Sequence, residues 1–128
     1  MRIKSALLYL AALGLVSVAF MGFAAGQQDG SAAGPVALED RGCREETKLK
    51  SLAGDHHTTI QFVNASSEPK QVFWINYDGK RVLYRHLGVS EKYVQPTYST
   101  HPWVVANRAG TCTQIFVGEE RDGRATIR

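Results

Sequence analysis

The stretch KQVFWINYDGKRVLYRHL, residues 70–87, decides the predicted fold, because two runs of β-branched and aromatic residues flank the dipeptide Asp78-Gly79. Residues of these types favour strands, and Asp-Gly between two such runs is a strong signal for a β-hairpin. The stretch therefore predicts two antiparallel strands that are joined by a tight turn.

The length of that turn determines which side chains share a face. A two-residue loop at Asp78 and Gly79 would pair Trp74 with Leu83 and turn Tyr84 to the opposite face. A three-residue loop that starts one residue earlier would give Gly79 a left-handed conformation and bring Trp74 and Tyr84 to the same face. The hairpin signal alone slightly favours the two-residue loop.

The two-residue periodicity continues on both sides of the hairpin, from Thr58 to the end of the chain. Turn residues separate the runs, and no long helical pattern interrupts them. Short strands at this spacing are typical of an all-β sandwich. We predict a seven-stranded antiparallel β sandwich at residues 43–128, with strands at TTIQFVN (58–64), KQVFWINY (70–77), KRVLYRHL (80–87), EKYVQPT (91–97), HPWVVAN (101–107), TQIFVG (113–118) and RATIR (124–128).

The N-terminal third has a different composition. Two basic residues precede an apolar run and then small residues, which predicts a signal peptide at residues 1–24. An uncleaved membrane anchor is the alternative, because residues 7–25 approach the length that spans a bilayer. Residues 25–42 are rich in Gly, Ala and polar residues and predict a flexible linker. For residues 43–55, one helical turn and an extended lead-in strand fit the sequence equally well.

Export would bring Cys43 and Cys112 into an oxidising compartment, periplasmic or extracellular, where an even number of cysteines favours a disulfide. Two free buried thiols are the alternative.

Removal of residues 1–24 leaves 13 of the 15 basic residues, all 12 acidic residues and no basic cluster, so nucleic acid is not an expected partner. No residues stand at metal-ligand or catalytic spacing, so we expect no enzymatic activity, no metal and no cofactor.

The stretch TYSTHPWVV, residues 97–105, combines residue types that rarely share one side of a strand. In a continuous strand alternate residues lie on the same face. Those residues are Thr97, Ser99, His101, Trp103 and Val105. Because Pro102 cannot donate to a ladder, we expect a strand that either lies at a sheet edge or begins regular pairing only after His101.

The chain resembles the β domain of the von Hippel–Lindau tumour suppressor family from about Thr58 to Val117. The resemblance is carried by Phe62, Asn64, Ser66, the motif Trp74-x-Asn76-aromatic-Asp78-Gly79, Tyr84 and the run Thr97-Tyr98-x-x-His101-x-Trp103. The family spacing is kept without gaps from Phe62 to Trp103. The family fold is a seven-stranded β sandwich, and the resemblance favours the three-residue hairpin loop.

In that family the domain holds a hydroxylated proline of a partner polypeptide. The resemblance implies that Trp74 and Trp103 form the walls around the proline ring and that Tyr84 closes the pocket. It also implies that Tyr98 supports the site. Aromatic faces suit such a ring, because they offer apolar area to a group that carries little charge.

The polar groups of the implied pocket are His101 and Thr97, which would bond the hydroxyl of the proline. A neutral imidazole can donate from one nitrogen and accept at the other, so it can pair with an alcohol. Unmodified proline would leave both side chains without a partner, at about 1–3 kcal/mol each. The chain departs from the family at two positions. It has Pro96 where the family has a histidine, and Thr97 where the family has a serine. We expect no ubiquitin-ligase adaptor as a partner, since no helical docking domain follows residue 128.

The sequence therefore predicts an exported, non-catalytic module that binds a protein or peptide ligand, with proline or hydroxyproline as the candidate residue. The alternative is a structural or interaction module of the cell envelope in which Trp74, Trp103 and His101 belong to the core. A cleft at these residues would favour binding. The sequon Asn64-Ala65-Ser66 is interpreted as a turn whose Asn side chain holds the backbone.

Overall fold

The structure, a computed structural model, describes residues 33–128. The strands are β1 (Val36–Ala37), β2 (His57–Asn64), β3 (Lys70–Ile75), β4 (Arg81–Leu87), β5 (Lys92–Tyr98), β6 (Pro102–Ala106), β7 (Cys112–Val117) and β8 (Gly123–Ile127). They form two four-stranded sheets, in the orders β1-β8-β2-β5 and β4-β3-β6-β7, which enclose a common core. The predicted signal peptide, residues 1–24, and the first part of the predicted linker lie outside the described residues.

The strand count exceeds the prediction by one. The seven predicted runs correspond to β2–β8, and every strand end lies within two residues of its predicted position. The additional strand, β1, lies in the segment 25–42, which was expected to be a flexible linker. It pairs with β8, and the neighbouring Leu38 is buried in the core. The linker prediction is therefore wrong for the end of that segment, because a two-residue strand is too short to show a period.

The direction of one strand also differs from the prediction of an antiparallel sandwich. β8 pairs in parallel with both β1 and β2, while the other pairs are antiparallel. The chain leaves the second sheet after β7 and enters the first sheet as β8. Side chains alternate in the same way in parallel and antiparallel strands, so the periodicity of the sequence contains no information on strand direction.

The β3–β4 hairpin has the three-residue loop, and the two-residue loop that the hairpin signal favoured is wrong. Trp74 pairs with Val82, and Gly79 adopts the left-handed conformation with φ of 76°. The Asn76 side-chain oxygen accepts hydrogen bonds from the backbone N–H groups of Asp78 and Lys80, at 3.0 and 2.9 Å. These bonds stabilise the longer loop, and they involve a side chain that the Asp-Gly rule does not consider.

A bulge in β4 changes the register beyond the hairpin loop. Phe73 pairs with Leu83, but the preceding Val72 pairs with Arg85, so Tyr84 is the additional residue of the bulged strand. A bulge bends a strand and can redirect a side chain. The Tyr84 ring lies against the Trp74 ring, with 6.1 Å between the ring centroids.

Residues 97–105 do not form one continuous strand. β5 ends at Tyr98 in the first sheet, and β6 starts at Pro102 in the second sheet, so the intervening turn carries the chain from one sheet to the other. Thr100 in this turn has a positive φ of 73° and donates its backbone N–H to the Gly118 carbonyl oxygen at 2.8 Å. A side chain on Gly118 would collide with the Tyr98 carbonyl group, which explains the glycine.

β6 is a central strand that is buried on both faces. Its pairing begins at Pro102, which confirms that regular pairing starts after His101. On the inner face Trp103 belongs to the core between the sheets. On the outer face Val104 belongs to a smaller apolar cluster that is covered by Leu49.

The segment that covers this outer face precedes β2. It begins with a 3-10 helix at Cys43–Lys48 and continues without regular secondary structure through residues 49–54, which we call the strap. The helical turn was one of the two alternatives for this segment. The predicted disulfide between Cys43 and Cys112 is confirmed and joins the helix to β7, with the Cα atoms 5.9 Å apart. The Glu46 carboxylate accepts two hydrogen bonds from the Arg81 guanidinium of β4.

Asn64 is buried at the end of β2. Its hydrogen bonds confirm that the sequence Asn64-Ala65-Ser66 forms a turn held by the Asn side chain. Its amide nitrogen lies within 3.1 Å of the carbonyl oxygens of Glu68, Leu87 and Gly88. Its side-chain oxygen accepts hydrogen bonds from the backbone N–H and the hydroxyl of Ser66. One side chain therefore connects the β2–β3 turn to the β4–β5 turn.

Among residues 33–128, no helix has both the length and the apolar character that crossing a membrane requires.

Replacement of both Cys43 and Cys112 by Ala should lower the free energy of unfolding by about 4 kcal/mol, because the disulfide closes a loop with a sequence separation of 69. Denaturant unfolding of the oxidised wild type and the double variant measures the difference. The reduced wild type should match the variant. An unchanged unfolding free energy, or two reactive thiols in the unreduced, unfolded wild type, would contradict the disulfide.

Replacement of Asn64 by Ala should destabilise the fold by about 2–4 kcal/mol, because several buried backbone groups lose their partner. Asn107→Ala is the matched control, since the Asn107 side chain accepts from two backbone N–H groups of its own exposed turn and connects it to no second turn. The control should lose only about 1 kcal/mol. Equal losses in the two variants would show that Asn64 does not connect the two turns in a special way.

Candidate functional site

All six side chains that the sequence analysis selected for the ligand site line a single cavity of about 160 Å³, which we call the aromatic pocket. These residues are Trp74, Tyr84, Thr97, Tyr98, His101 and Trp103. Two further side chains, Tyr77 and Pro96, complete the lining. None of the eight lining residues carries a formal charge when His101 is neutral.

The pocket lies at one open side of the sandwich, where consecutive edge strands of the two sheets meet. β4 is the edge of the second sheet and contributes Tyr84, and β5 is the edge of the first sheet and contributes Pro96 and Thr97. The crossing turn between β5 and β6 then places His101 next to this edge. The residues of the stretch 97–103 converge because the chain changes sheet, and not because they share one face of a strand.

The aromatic rings meet edge to face. The Tyr84 ring is 5.0 Å from the Trp103 ring at an interplanar angle of 82°, and 6.1 Å from the Trp74 ring at 78°. Tyr84 is 48% exposed, whereas Trp103 is only 2% exposed. Tyr84 is therefore an open rim of the pocket, and Trp103 is part of its base.

The base of the pocket contains a hydroxyl group whose proton has no hydrogen-bond acceptor among residues 33–128. The indole N–H of Trp103 donates to Thr97 Oγ1 at 3.1 Å, and both side chains are buried. The hydroxyl of a threonine can accept two hydrogen bonds and donate one. Because Thr97 Oγ1 accepts from the indole and donates to no acceptor among residues 33–128, its own proton remains available to a ligand.

His101 is 4% exposed, and its partner fixes its tautomer. The Nε2 atom lies 3.1 Å from the carbonyl oxygen of Leu52 and 3.5 Å from the Tyr77 hydroxyl. The carbonyl is the nearer group and can only accept, so Nε2 carries the proton and Nδ1 is the acceptor. Nδ1 makes no hydrogen bond within residues 33–128. The only side-chain polar atom of residues 33–128 that is both fully buried and without a partner is Tyr93 Oη. Because Nδ1 of His101 has no partner either, it must retain some contact with solvent.

The strap residues Ser51 and Leu52 organise this side of the pocket. The indole N–H of Trp74 donates to Ser51 Oγ at 2.7 Å, and the Ser51 hydroxyl donates to the Ile75 carbonyl oxygen at 2.6 Å. The Leu52 carbonyl orients the His101 ring, whose centroid is 5.6 Å from that of Trp74. Both strap residues therefore hold polar groups of the pocket in fixed positions.

Sequence reasoning did not select Ser51 and Leu52, because they lie in an irregular segment far from the pocket residues along the chain. Tyr77 had a weak signal, since it is the aromatic residue of the Trp-x-Asn-aromatic-Asp-Gly motif. Pro96 was noted only as a departure from the resembled family.

Within residues 33–128 there is no group of three His, Cys, Asp or Glu side chains that could hold a metal ion.

The pKa of His101 is lowered from its ordinary value of 6.5, mainly because burial disfavours the charged imidazolium. The hydrogen bond to the Leu52 carbonyl opposes this effect, since it favours the protonated ring. The pocket is therefore electrically neutral at pH 7. Its chemistry is that of a largely aromatic enclosure that offers a hydroxyl donor at Thr97 and an imidazole acceptor at His101.

No protein-family model matches the chain, and no curated protein shows significant similarity to it.

The stability of the protein should decrease as the pH falls below about 6.5, because His101 titrates at a lower pH in the folded state than in the unfolded chain. Between these two pKa values the unfolded chain binds more protons, so acidification favours unfolding. The free energy of unfolding measured from pH 7.5 to 5.5 tests this expectation. His101→Gln, which keeps a donor for Leu52, should reduce the slope. A pKa of the His101 ring above 6.5, measured by NMR, would contradict this expectation.

Proposed function

We propose that this protein is an exported, non-catalytic binding module whose aromatic pocket takes one proline or hydroxyproline side chain of an extended partner polypeptide. The observation that carries the proposal is the convergence of six selected side chains on one small, neutral cavity. Size, hydrogen-bonding capacity and the neighbouring strand each support a part of it.

The size of the pocket favours a single small ring. A cavity of about 160 Å³ is comparable to the roughly 150 Å³ that accommodates one benzene ring in a protein core. Pockets for drug-sized ligands occupy about 300–1,000 Å³. The aromatic pocket therefore suits one side chain of a larger partner better than a free cofactor.

The available polar atoms favour an alcohol on that ring. An alcohol can donate to His101 Nδ1 and accept from the Thr97 hydroxyl at the same time, which would satisfy both groups. The two indole donors of the pocket already have partners, since Trp74 bonds Ser51 and Trp103 bonds Thr97. Hydroxyproline combines the ring and the alcohol, and unmodified proline supplies the ring alone.

The strand beside the pocket favours an extended polypeptide. Among the described residues β4 pairs only with β3, so its other side presents free backbone N–H and C=O groups. Val82, Leu83 and Tyr84 on this strand are exposed. A peptide can add to such an edge through main-chain hydrogen bonds while one side chain enters an adjacent pocket.

The resemblance to the von Hippel–Lindau β domain also supports the proposal, because the same residues carry it. Pro96 and Thr97 are departures from that family. Pro96 has no backbone N–H, and the Thr97 methyl group narrows the pocket, so a different proline context in the ligand is expected. The disulfide and the predicted signal peptide support export, in a periplasmic or secreted form, or as an anchored protein if the signal is retained.

A structural or interaction module without a ligand is the second candidate. The low exposure of Trp103 and His101 favours it, since both side chains contribute packing as well as pocket surface. The two candidates differ in the expected effect of replacing Tyr84, which is exposed and contributes little to the core. A binding module would lose ligand affinity, whereas a structural module would lose nothing.

Titration of the purified protein with peptides that differ only in one residue tests the proposal. A peptide with 4-hydroxyproline should bind about ten- to a hundredfold more tightly than its proline counterpart, because proline leaves polar groups unmatched. Alanine at that position should abolish binding. Absence of saturable binding by either peptide would reject the proposed function.

Tyr84→Ala should weaken binding of the hydroxyproline peptide about tenfold or more while the unfolding midpoint stays nearly unchanged. The matched control is Leu83→Ala, on the same strand and 46% exposed but outside the pocket lining. This control should bind like the wild type. Equal affinities for the two variants would place the peptide elsewhere.

A further inference from the structure

A second and larger cavity lies near the opposite side of the strap. This cavity, which we call the basic groove, measures about 800 Å³ and is bounded by the strap, the β5–β6 turn and the segment 117–121. Leu52 connects the two cavities, because its side chain lines the groove while its carbonyl oxygen bonds His101 of the aromatic pocket. The groove takes no part in the function proposed above.

The groove has an apolar surface that no described residue covers. Val36, Leu49, Leu52 and Val117 line it. Leu52 is 55% exposed, although most large apolar side chains of residues 33–128 are buried. Exposed apolar surface inside a concavity of this size is typical of a ligand site and not of an ordinary solvated face.

The charges around the groove have an excess of positive sign. Four basic side chains line it, together with the two acidic residues Glu119 and Glu120; the basic residues are Arg41, Lys48, Lys50 and Arg121. Lys48 forms an ion pair with Glu45 at 3.2 Å. Arg41, Lys50 and Arg121 form no ion pair within residues 33–128, so three cations remain available at the rim.

We infer that the basic groove binds a small amphiphilic anion, with an alkyl chain against the apolar surface and a carboxylate at the basic rim. The apolar lining alone would fit any hydrophobic molecule, and the basic rim alone would fit any anion. Their combination in one cavity of small-molecule size selects a molecule that has both parts. A densely acidic polypeptide is less suited, since the acidic pair Glu119 and Glu120 would repel it.

The probe for this inference is dodecanoate, at concentrations below those at which it aggregates, titrated into the full chain by calorimetry. It should bind saturably, with a dissociation constant that rises with salt concentration. Dodecyltrimethylammonium has the same chain with the opposite charge, and acetate has the head group without the chain. Each should bind at least tenfold more weakly, and equal binding of either one would overturn the inference.

The double variant Lys50→Glu, Arg121→Glu reverses two charges at the rim without touching the core. Its affinity for dodecanoate should fall at least tenfold, because each opposed charge pair changes sign. The control Lys92→Glu, Arg108→Glu makes the same change in net charge outside the groove and should bind dodecanoate like the wild type. Equal loss in both double variants would show a non-specific charge effect and overturn the inference.

Val117→Ala tests the apolar part, since Val117 lines the groove and belongs neither to the aromatic pocket nor to the strap. Dodecanoate should bind more weakly to this variant, whereas a hydroxyproline peptide should bind both forms equally. Binding of a polyglutamate peptide as tightly as dodecanoate would identify an acidic polypeptide as the occupant and overturn the inference. The result is independent of the peptide titrations, because those address the aromatic pocket.

Discussion

The burial of β6 on both faces is the constraint on which the rest of this structure depends. The inner face packs between the two sheets, but an outer face that carries Val104 would be exposed in a simple two-layer sandwich. The strap and the 3-10 helix cover that face, and the disulfide between Cys43 and Cys112 holds them against β7. An irregular segment thus becomes an integral third layer because a central strand has no polar side.

The cover has a second consequence for the chemistry of the surface. Ser51 and Leu52 lie in the same strap, and they satisfy the indole of Trp74 and the Nε2 proton of His101. The aromatic pocket is therefore preorganised, with few unsatisfied groups and no charge. On its other side the strap borders the basic groove, so one short segment separates a neutral cavity from a positively charged one. A change in the strap conformation would affect the polar groups of the first cavity and the apolar lining of the second.

Much of the fold was predictable because a half-buried strand imposes a two-residue period on its sequence. For seven strands the predicted ends lie within two residues of the observed ends. The prediction missed β1, since two residues cannot show a period. The hairpin register depended on the Asn76 side chain, which stabilises a loop one residue longer than the Asp-Gly pair suggests. The six pocket residues were selected through a family resemblance, and the structure brings them together. The polar partners Ser51 and Leu52 had no such signal.

By itself, the sequence determined the elements that depend on local patterns: seven of the eight strands of residues 33–128, the turn at Asn64 and the pairing of the two cysteines. These follow from periodicity, from short-range hydrogen bonding and from the even number of cysteines in a chain that is predicted to be exported. Only the tertiary structure decided how residues 97–103 converge, the parallel direction of β8 and the position of the strap. Each of these depends on which sheet a segment joins after a turn, and that choice depends on packing across the whole domain and not on any local pattern.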